Sequence, residues 1–282
     1  MLTFQNRDLN TSIHQHIQMK AKKSYGQHFL TSEVISERIA NSLSVTDTYN
    51  DVLEVGPGQG MLTKYLLEKA YNLKVVEADR DMVSYLKTNY PQLSPNIVSK
   101  DFLKMRLEEE MGDNFAIIGN FPYNISSQIV FKMLACRQFV PEMVGMFQKE
   151  MAERIVAPPG SKTYGVISVL TQAFYDGKLL FNVKPGSFNP PPKVMSAVIR
   201  LTRKADYEDL GCDHKRFRQV VKLAFGQRRK MLRNTMKPLI KGHEIMEEAI
   251  FKQRPEQLSV QDFIDLTNTI DTILKDTKNT EA

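Results

Sequence analysis

Asp51-Val52-Leu53-Glu54-Val55-Gly56-Pro57-Gly58-Gln59-Gly60 is an apolar run that ends in a glycine turn. The run predicts a buried strand, and the missing side chains after it let the backbone approach a ligand closely. A dinucleotide fingerprint needs a further glycine at position 61, which here is Met61. Taken alone, the turn reads equally well as a plain structural turn. Two acids shift that balance. Glu77 closes the next apolar run, 21 residues after Gly56, where a carboxylate can accept from both hydroxyls of a ribose. Asp101 follows the run after that, within reach of the amine of a nucleoside cofactor. Either acid by itself could cap a helix. Two of them beside a glycine turn fit the crevice expected at the carboxyl ends of parallel strands.

Outward from this stretch, residues 51–55, 73–76, 97–99, 115–118, 143–147, 179–183 and 197–201 read as strands that alternate with helical patterns. Such alternation predicts an α/β fold, a mostly parallel sheet covered on both faces. The last two strands are separated only by residues 184–196, which contain Pro190-Pro191-Pro192. That is too short for a helical crossover, so the pair is expected to be antiparallel. By analogy, seven strands with such a final pair resemble the Rossmann-like AdoMet-dependent methyltransferase fold. Beyond Arg203 the pattern is helical only. Asp213 is a cap for a helix with Phe217, Val220, Val221 and Ala224 inward. A second helix is expected after Gly226, with Met231, Leu232, Thr235 and Met236 inward and Lys230, Arg233 and Lys237 outward, and residues 258–274 close the chain as a helix. The expected division is a polar extension at 1–22, an α/β domain at 23–203 and a small helical domain at 204–282.

Asn120-Phe121-Pro122-Tyr123 sits at the end of the fourth apolar strand. An Asn side-chain oxygen and the next backbone carbonyl can both accept from one exocyclic NH2, while a Tyr two positions on offers a flat face to a heterocycle. This arrangement suits the N6 amine of adenine presented for methylation. Gly119, beside Asn120, is expected to leave room for a methyl already attached. Neither a metal nor a covalent nucleophile is required.

Of the 282 residues, 42% are apolar, enough for a full core. No apolar run approaches the roughly 18 residues of a membrane span, and the first 22 residues show no signal-peptide pattern, so the chain reads as cytosolic. Cys136 and Cys212 lie 76 positions apart with no CxxC partner, which indicates neither a disulfide framework nor a zinc site. The net charge of +6 is unevenly placed. Residues 214–241 carry ten Lys or Arg and no acid, whereas residues 242–282 carry four bases against nine acids. The bland reading is a solvated helix face; beside an adenine-directed tetrapeptide, a polyanionic partner is the better one. Lys222, Arg228, Arg229, Lys230 and Arg233 are the candidate RNA contacts.

Lys23-Ser24-Tyr25-Gly26-Gln27-His28-Phe29-Leu30, the glycine turn, Glu77-Ala78-Asp79-Arg80, Gly119-Asn120-Phe121-Pro122-Tyr123-Asn124-Ile125-Ser126, Gln148-Lys149-Glu150, Ser161-Lys162-Thr163-Tyr164-Gly165 and Phe188-Asn189-Pro190-Pro191-Pro192-Lys193-Val194 occur in this order. Together they closely resemble the KsgA (RsmA) family of small-subunit rRNA adenine N6-dimethyltransferases. Gln227-Arg228-Arg229-Lys230 extends the likeness and favours this family over the related macrolide-resistance methylases of 23S rRNA. The resemblance implies dimethylation of two adjacent adenosines in the 3'-terminal hairpin loop of 16S rRNA in the immature 30S subunit, by a monomer. It places S-adenosyl-L-methionine contacts on His28, Leu30, Gly56, Glu77, Asp101 and Asn120, to which the turn adds Gly58; the product is S-adenosyl-L-homocysteine. Catalysis falls on Asn120, Phe121, Pro122 and Tyr123, with Phe188 a second stacking ring. Two positions depart from the bacterial pattern: His28 stands where many members have Asn, and Phe121 replaces the usual Leu. A DNA adenine methyltransferase shares the Asn-x-Pro-Tyr logic but would normally need a target-recognition domain. An assembly factor without turnover is the rival of another class, and transfer of labelled methyl groups separates it.

Overall fold

A computed structural model describes residue 22 and residues 26–281. Residues 1–21, most of the expected extension, and Lys23, Ser24 and Tyr25 of the first motif lie outside the described residues. The strands are β1 (Phe29–Leu30), β2 (Asp51–Val55), β3 (Asn72–Val76), β4 (Ile97–Val98), β5 (Phe115–Asn120), β6 (Glu142–Gln148), β7 (Tyr175–Val183), β8 (Phe188–Asn189) and β9 (Ser196–Arg203). The main sheet has the order β4-β3-β2-β5-β6-β9-β7. Its first five strands run parallel, and β9 enters antiparallel between β6 and β7. The order turns outward at β2 and β5, whose carboxyl ends face the crevice between the two halves of the sheet.

Strand alternation sends successive side chains to opposite faces. In β5, Phe115 and Ile117 enter one apolar cluster and Ala116 and Ile118 the other. β6 divides in the same way, Met143 and Phe147 against Val144 and Met146. Both faces are therefore dry, as a parallel sheet requires. The helices that cover them are α1 (Glu33–Ala40), α2 (Thr63–Leu67), α3 (Arg80–Asn89), α4 (Leu107–Met111), α5 (Ser126–Ala135), α6 (Lys149–Ile155) and α7 (Val166–Gln172). After β9 come α8 (His214–Gly226), α9 (Leu232–Thr235), α10 (Lys237–Ile240) and α11 (Val260–Glu281). Phe217, Val220, Val221 and Ala224 of α8 belong to the same apolar cluster as Phe115 and Ile117, so the helical segment prolongs the core of one sheet face. Asp213 caps α8 by accepting from the Arg216 amide at 2.7 Å.

The structure departs from the sequence reading in three places. The expected loop 184–196 contains β8, which pairs antiparallel with β1 through Phe29–Asn189 and Leu30–Phe188. The expected strand at 97–99 ends at Val98, leaving Asp101 three residues beyond it, at the cap of a 3-10 turn. The single helix expected after Gly226 is broken into α9 and α10 with a proline in the first turn of the second. Met231 precedes α9 and is 38% exposed, whereas Leu232, Thr235 and Met236 are buried. Among the described residues no helix is long and apolar enough to cross a membrane.

Candidate active site

A cavity of about 510 Å³ opens at the carboxyl ends of β2, β3 and β5. It is lined by His28, Leu30, Gly56, Gly58, Glu77, Asp101 and the tetrapeptide Asn120-Phe121-Pro122-Tyr123. The glycine turn brings these pieces together. Gly58 has φ +55°, and a Cβ there would stand 3.1 Å from the Phe29 ring. Gly56 has φ +70°, and a Cβ there would stand 3.7 Å from the Pro122 ring. An L side chain at either position strains the turn, and at Gly58 it also pushes β1 away.

Glu77 is 7% exposed. Its carboxylate accepts from the Gly58 amide at 3.2 Å and the Asp79 amide at 2.9 Å, one on each oxygen. Burial raises its pKa above the ordinary carboxylate value, and these amides oppose the rise. Each oxygen keeps lone-pair capacity for a diol. Asp79 caps α3 and binds the Lys22 ammonium at 2.6 Å and the Gln27 amide at 3.1 Å. Burial disfavours its charge, but these donors outweigh it and lower its pKa. Asp101 is exposed, and one oxygen holds the Leu103 amide at 2.9 Å.

Sequence reading gave Glu54 no role, yet it lines the same cavity at 1% exposure. Burial pushes its carboxyl up to about 8, against the opposing hydrogen bond from Thr63 at 2.7 Å, with neighbouring Glu77 adding to the rise. The available signal was an acid flanked by the apolar residues Val52, Leu53 and Val55.

Asn120 donates its Nδ2 to the His28 carbonyl at 2.9 Å. A carbonyl only accepts, so this contact fixes the amide orientation and leaves Oδ1 as an acceptor. The Phe121 ring is 1% exposed and meets Phe147 edge to face at 5.1 Å. Two glycines make its room: a Cβ on Gly145 would lie 2.2 Å from the ring and one on Gly119 2.9 Å from it. Gly119 therefore clears space for Phe121 and the Val55 carbonyl. Tyr123 is half-buried, stacks on His28 with centroids 5.4 Å apart, and meets Ser196 Oγ at 2.5 Å. Phe188 stands apart from these residues. It is 4% exposed in β8, packs in the core with Leu30, and lies outside the cavity lining, because a paired strand turns alternate side chains inward.

On the helical segment, Lys222, Arg229, Lys230 and Arg233 are exposed. Arg228 differs: its guanidinium donates to the Ser161 carbonyl at 3.0 Å and lies 3.9 Å from Glu256. The neighbouring Gly160 amide donates to the Glu256 carbonyl at 2.6 Å, and Tyr164 packs edge to face on Phe225. Arg228 thus ties the helical segment to the loop before α7. Among the described residues no group of three His, Cys, Asp or Glu side chains could hold a metal ion.

Residues 18–272 match the family profile "Ribosomal RNA adenine dimethylase". The chain is 56% identical over 254 residues to Ribosomal RNA small subunit methyltransferase A of Flavobacterium johnsoniae, covering 90% of this chain and 97% of that one. The Bacteroides fragilis protein of the same name is 53% identical over 261 residues, 91% and 94% of the two chains. Among solved structures, a dimethyladenosine transferase from Plasmodium falciparum superposes with a TM-score of 0.74 at 25% identity, covering 87% of this chain and 98% of that one. The 23S rRNA methyltransferase ErmE gives 0.62 at 24% identity, covering 85% and 99%, a likeness of fold alone.

Proposed function

Because the chain belongs to the ribosomal RNA adenine dimethylase family, we propose that it dimethylates N6 of two adjacent adenosines in the 3'-terminal hairpin loop of 16S rRNA. It does so with S-adenosyl-L-methionine, on the immature 30S subunit, as a cytoplasmic monomer. The observation that carries this reading is the fixed Asn120 amide beside the glycine turn.

The cavity residues fit a nucleoside cofactor. Glu77, with spare acceptor capacity on both oxygens, suits the ribose hydroxyls, and Asp101 suits the adenine amine. Gly56 and Gly58 present bare backbone, and His28, Leu30 and Asn120 complete the wall. When bound, S-adenosyl-L-methionine supplies an electrophilic methyl group on its sulfonium. The remaining work falls to this chain's own groups. The exocyclic amine of adenine is a poor nucleophile because its lone pair is delocalised into the ring. Asn120 Oδ1 and the Phe121 carbonyl accept its N–H groups best when the nitrogen is pyramidal, which localises the lone pair. Such preorganised acceptors are typically worth a few kcal/mol each in the transition state. Tyr123 stacks on the extruded base and holds it in register. Exposed Lys222, Arg229, Lys230 and Arg233 meet rRNA phosphates.

The test uses purified full-length protein, labelled S-adenosyl-L-methionine, and undermethylated small and large ribosomal subunits. Label is expected in the small subunit as N6,N6-dimethyladenosine. Label in 23S rRNA instead would support the macrolide-resistance reading, and tight binding without transfer would leave an assembly factor.

A further inference from the structure

Ser196 opens β9, the strand that enters the sheet antiparallel between β6 and β7, and it pairs with Gln148 on one side and Val183 on the other. The residue before it is fixed too, since the Lys149 amide donates to the Met195 carbonyl at 2.9 Å. Its side chain is fully buried and reaches the Tyr123 hydroxyl at 2.5 Å. Tyr123 itself stands on a short 3-10 turn, a far softer support than a sheet interior. Its ring face is also held. His28 stacks on it at 5.4 Å with planes 29° apart, and His28 Nδ1–H donates to the Pro190 carbonyl at 2.8 Å. No third ring fits between two rings already at stacking distance, so a base that stacks on Tyr123 takes the opposite face.

The geometry points to Ser196 as a positioning residue that holds the Tyr123 ring, with His28 covering its back face, so that one defined face receives the target adenine. The inference rests on the reading that Tyr123 stacks on that base. A ring fixed at its tip and on one face is competent before substrate arrives. Released at the tip, it is competent only part of the time, and apparent affinity for the base falls by that fraction. The second methyl transfer feels this most. After the first transfer N6 keeps a single hydrogen, so one acceptor contact is lost and stacking carries more of the alignment.

The test is a cycle of S196A, Y123F and the double variant, assayed on undermethylated small subunits for each transfer separately, with Y123A and S196T as references. S196A and Y123F should each lower kcat/KM by about three- to tenfold, the range of one net hydrogen bond. The share of N6-monomethyladenosine among products should rise, while cofactor affinity stays at the parental value and Tm falls by no more than about 2–4 °C. S196T restores the hydroxyl and the product ratio, and the double variant is no worse than either single one. Parental turnover and product ratio in S196A overturn the proposal, as do losses that multiply in the double variant. Equal losses in both transfers, with the product ratio unchanged, mark a merely structural bond and overturn it too. Should S196A fold poorly, Y123F removes the same bond from its other end and is judged by the same outcomes. Parental turnover in Y123A would instead overturn the base-stacking reading beneath the proposal.

Discussion

In the crevice, Glu77 takes the amides of Gly58 and Asp79, and Asn120 gives its own amide to His28. On the helical segment, by contrast, Lys222, Arg229, Lys230 and Arg233 stand exposed. The first region is preorganised: Glu77 and Asn120 are each aimed by a partner before any ligand arrives, and a single substitution removes a defined interaction. As the proposed rRNA-docking face, the second is expected to work by charge density, with each base contributing a small, salt-dependent and nearly additive share. Arg228 belongs by sequence to the second region and by contacts to neither, since it spends its donors on the protein itself.

The largest effect should come from Asn120→Ala. Methyl transfer is expected to fall by about two orders of magnitude or more, while rRNA affinity and Tm stay near those of the parent. Near-normal turnover would break the claim that the crevice acts through aimed acceptors. Next is Glu77→Ala, which removes the acceptor proposed for the ribose hydroxyls. Calorimetric titration should show the dissociation constant for S-adenosyl-L-methionine rising roughly ten- to hundredfold, and an unchanged constant would reduce Glu77 to an anchor for Gly58 and Asp79.

The basic face should behave otherwise. Replacing Lys222, Arg229 and Lys230 together with Ala should weaken small-subunit binding and lower the slope of log affinity against log salt by about two to three, with cofactor affinity unchanged. Arg228→Gln alone should leave that slope in place and instead lower Tm by roughly 2–4 °C, the size expected for about 1 kcal/mol in a chain of this class. A reversed pattern, with the slope falling for Arg228 alone, would erase the distinction between anchoring and docking bases. Smallest is a pH effect in the crevice. The Glu54 carboxyl is pushed up to about 8 from its ordinary 4.5. A group whose folded pKa is raised contributes its stability below the unfolded value and loses it as pH rises through the folded one. Parental Tm should therefore fall between pH 5 and 8 more steeply than that of Glu54→Gln, with Glu77, shifted in the same direction, supplying the remaining slope. Parallel curves for the two proteins would place the Glu54 proton elsewhere.

Much of the fold was legible because alternation and turn chemistry are local. The apolar strands, the glycine turn and the Asp213 cap all announce themselves within a few residues. The family resemblance likewise gathered His28, Glu77, Asp101 and Asn120, and the structure brings them to one cavity. Other features depend on partners distant in sequence. Phe188 stands beside three prolines, but the residue it pairs with and packs against, Leu30, lies far away in sequence. Gly119 stands next to Asn120, but what surrounds its missing side chain is set by Phe121 and Val55. Ser196 carries no motif of its own, and its importance appears only when β9 is laid against β6 and the Tyr123 hydroxyl arrives. Glu54 shows the same limit for charge: its proton affinity follows from burial, which one-dimensional pattern reports only as an odd acid in a strand.

The two-residue ribbon of β1 and β8 joins positions 29–30 to positions 188–189. The wall of the crevice that carries His28 and Leu30 is thus completed from a segment synthesised some 160 residues later. A chain emerging from the ribosome carries its glycine turn and its Asn-Phe-Pro-Tyr early, but it cannot close that wall until β8 and β9 have left the exit tunnel. Domains commonly fold as units during synthesis. Here the order of synthesis makes competence for the cofactor a late event, so that a prematurely truncated product would retain most of the motifs and lack the enclosed site.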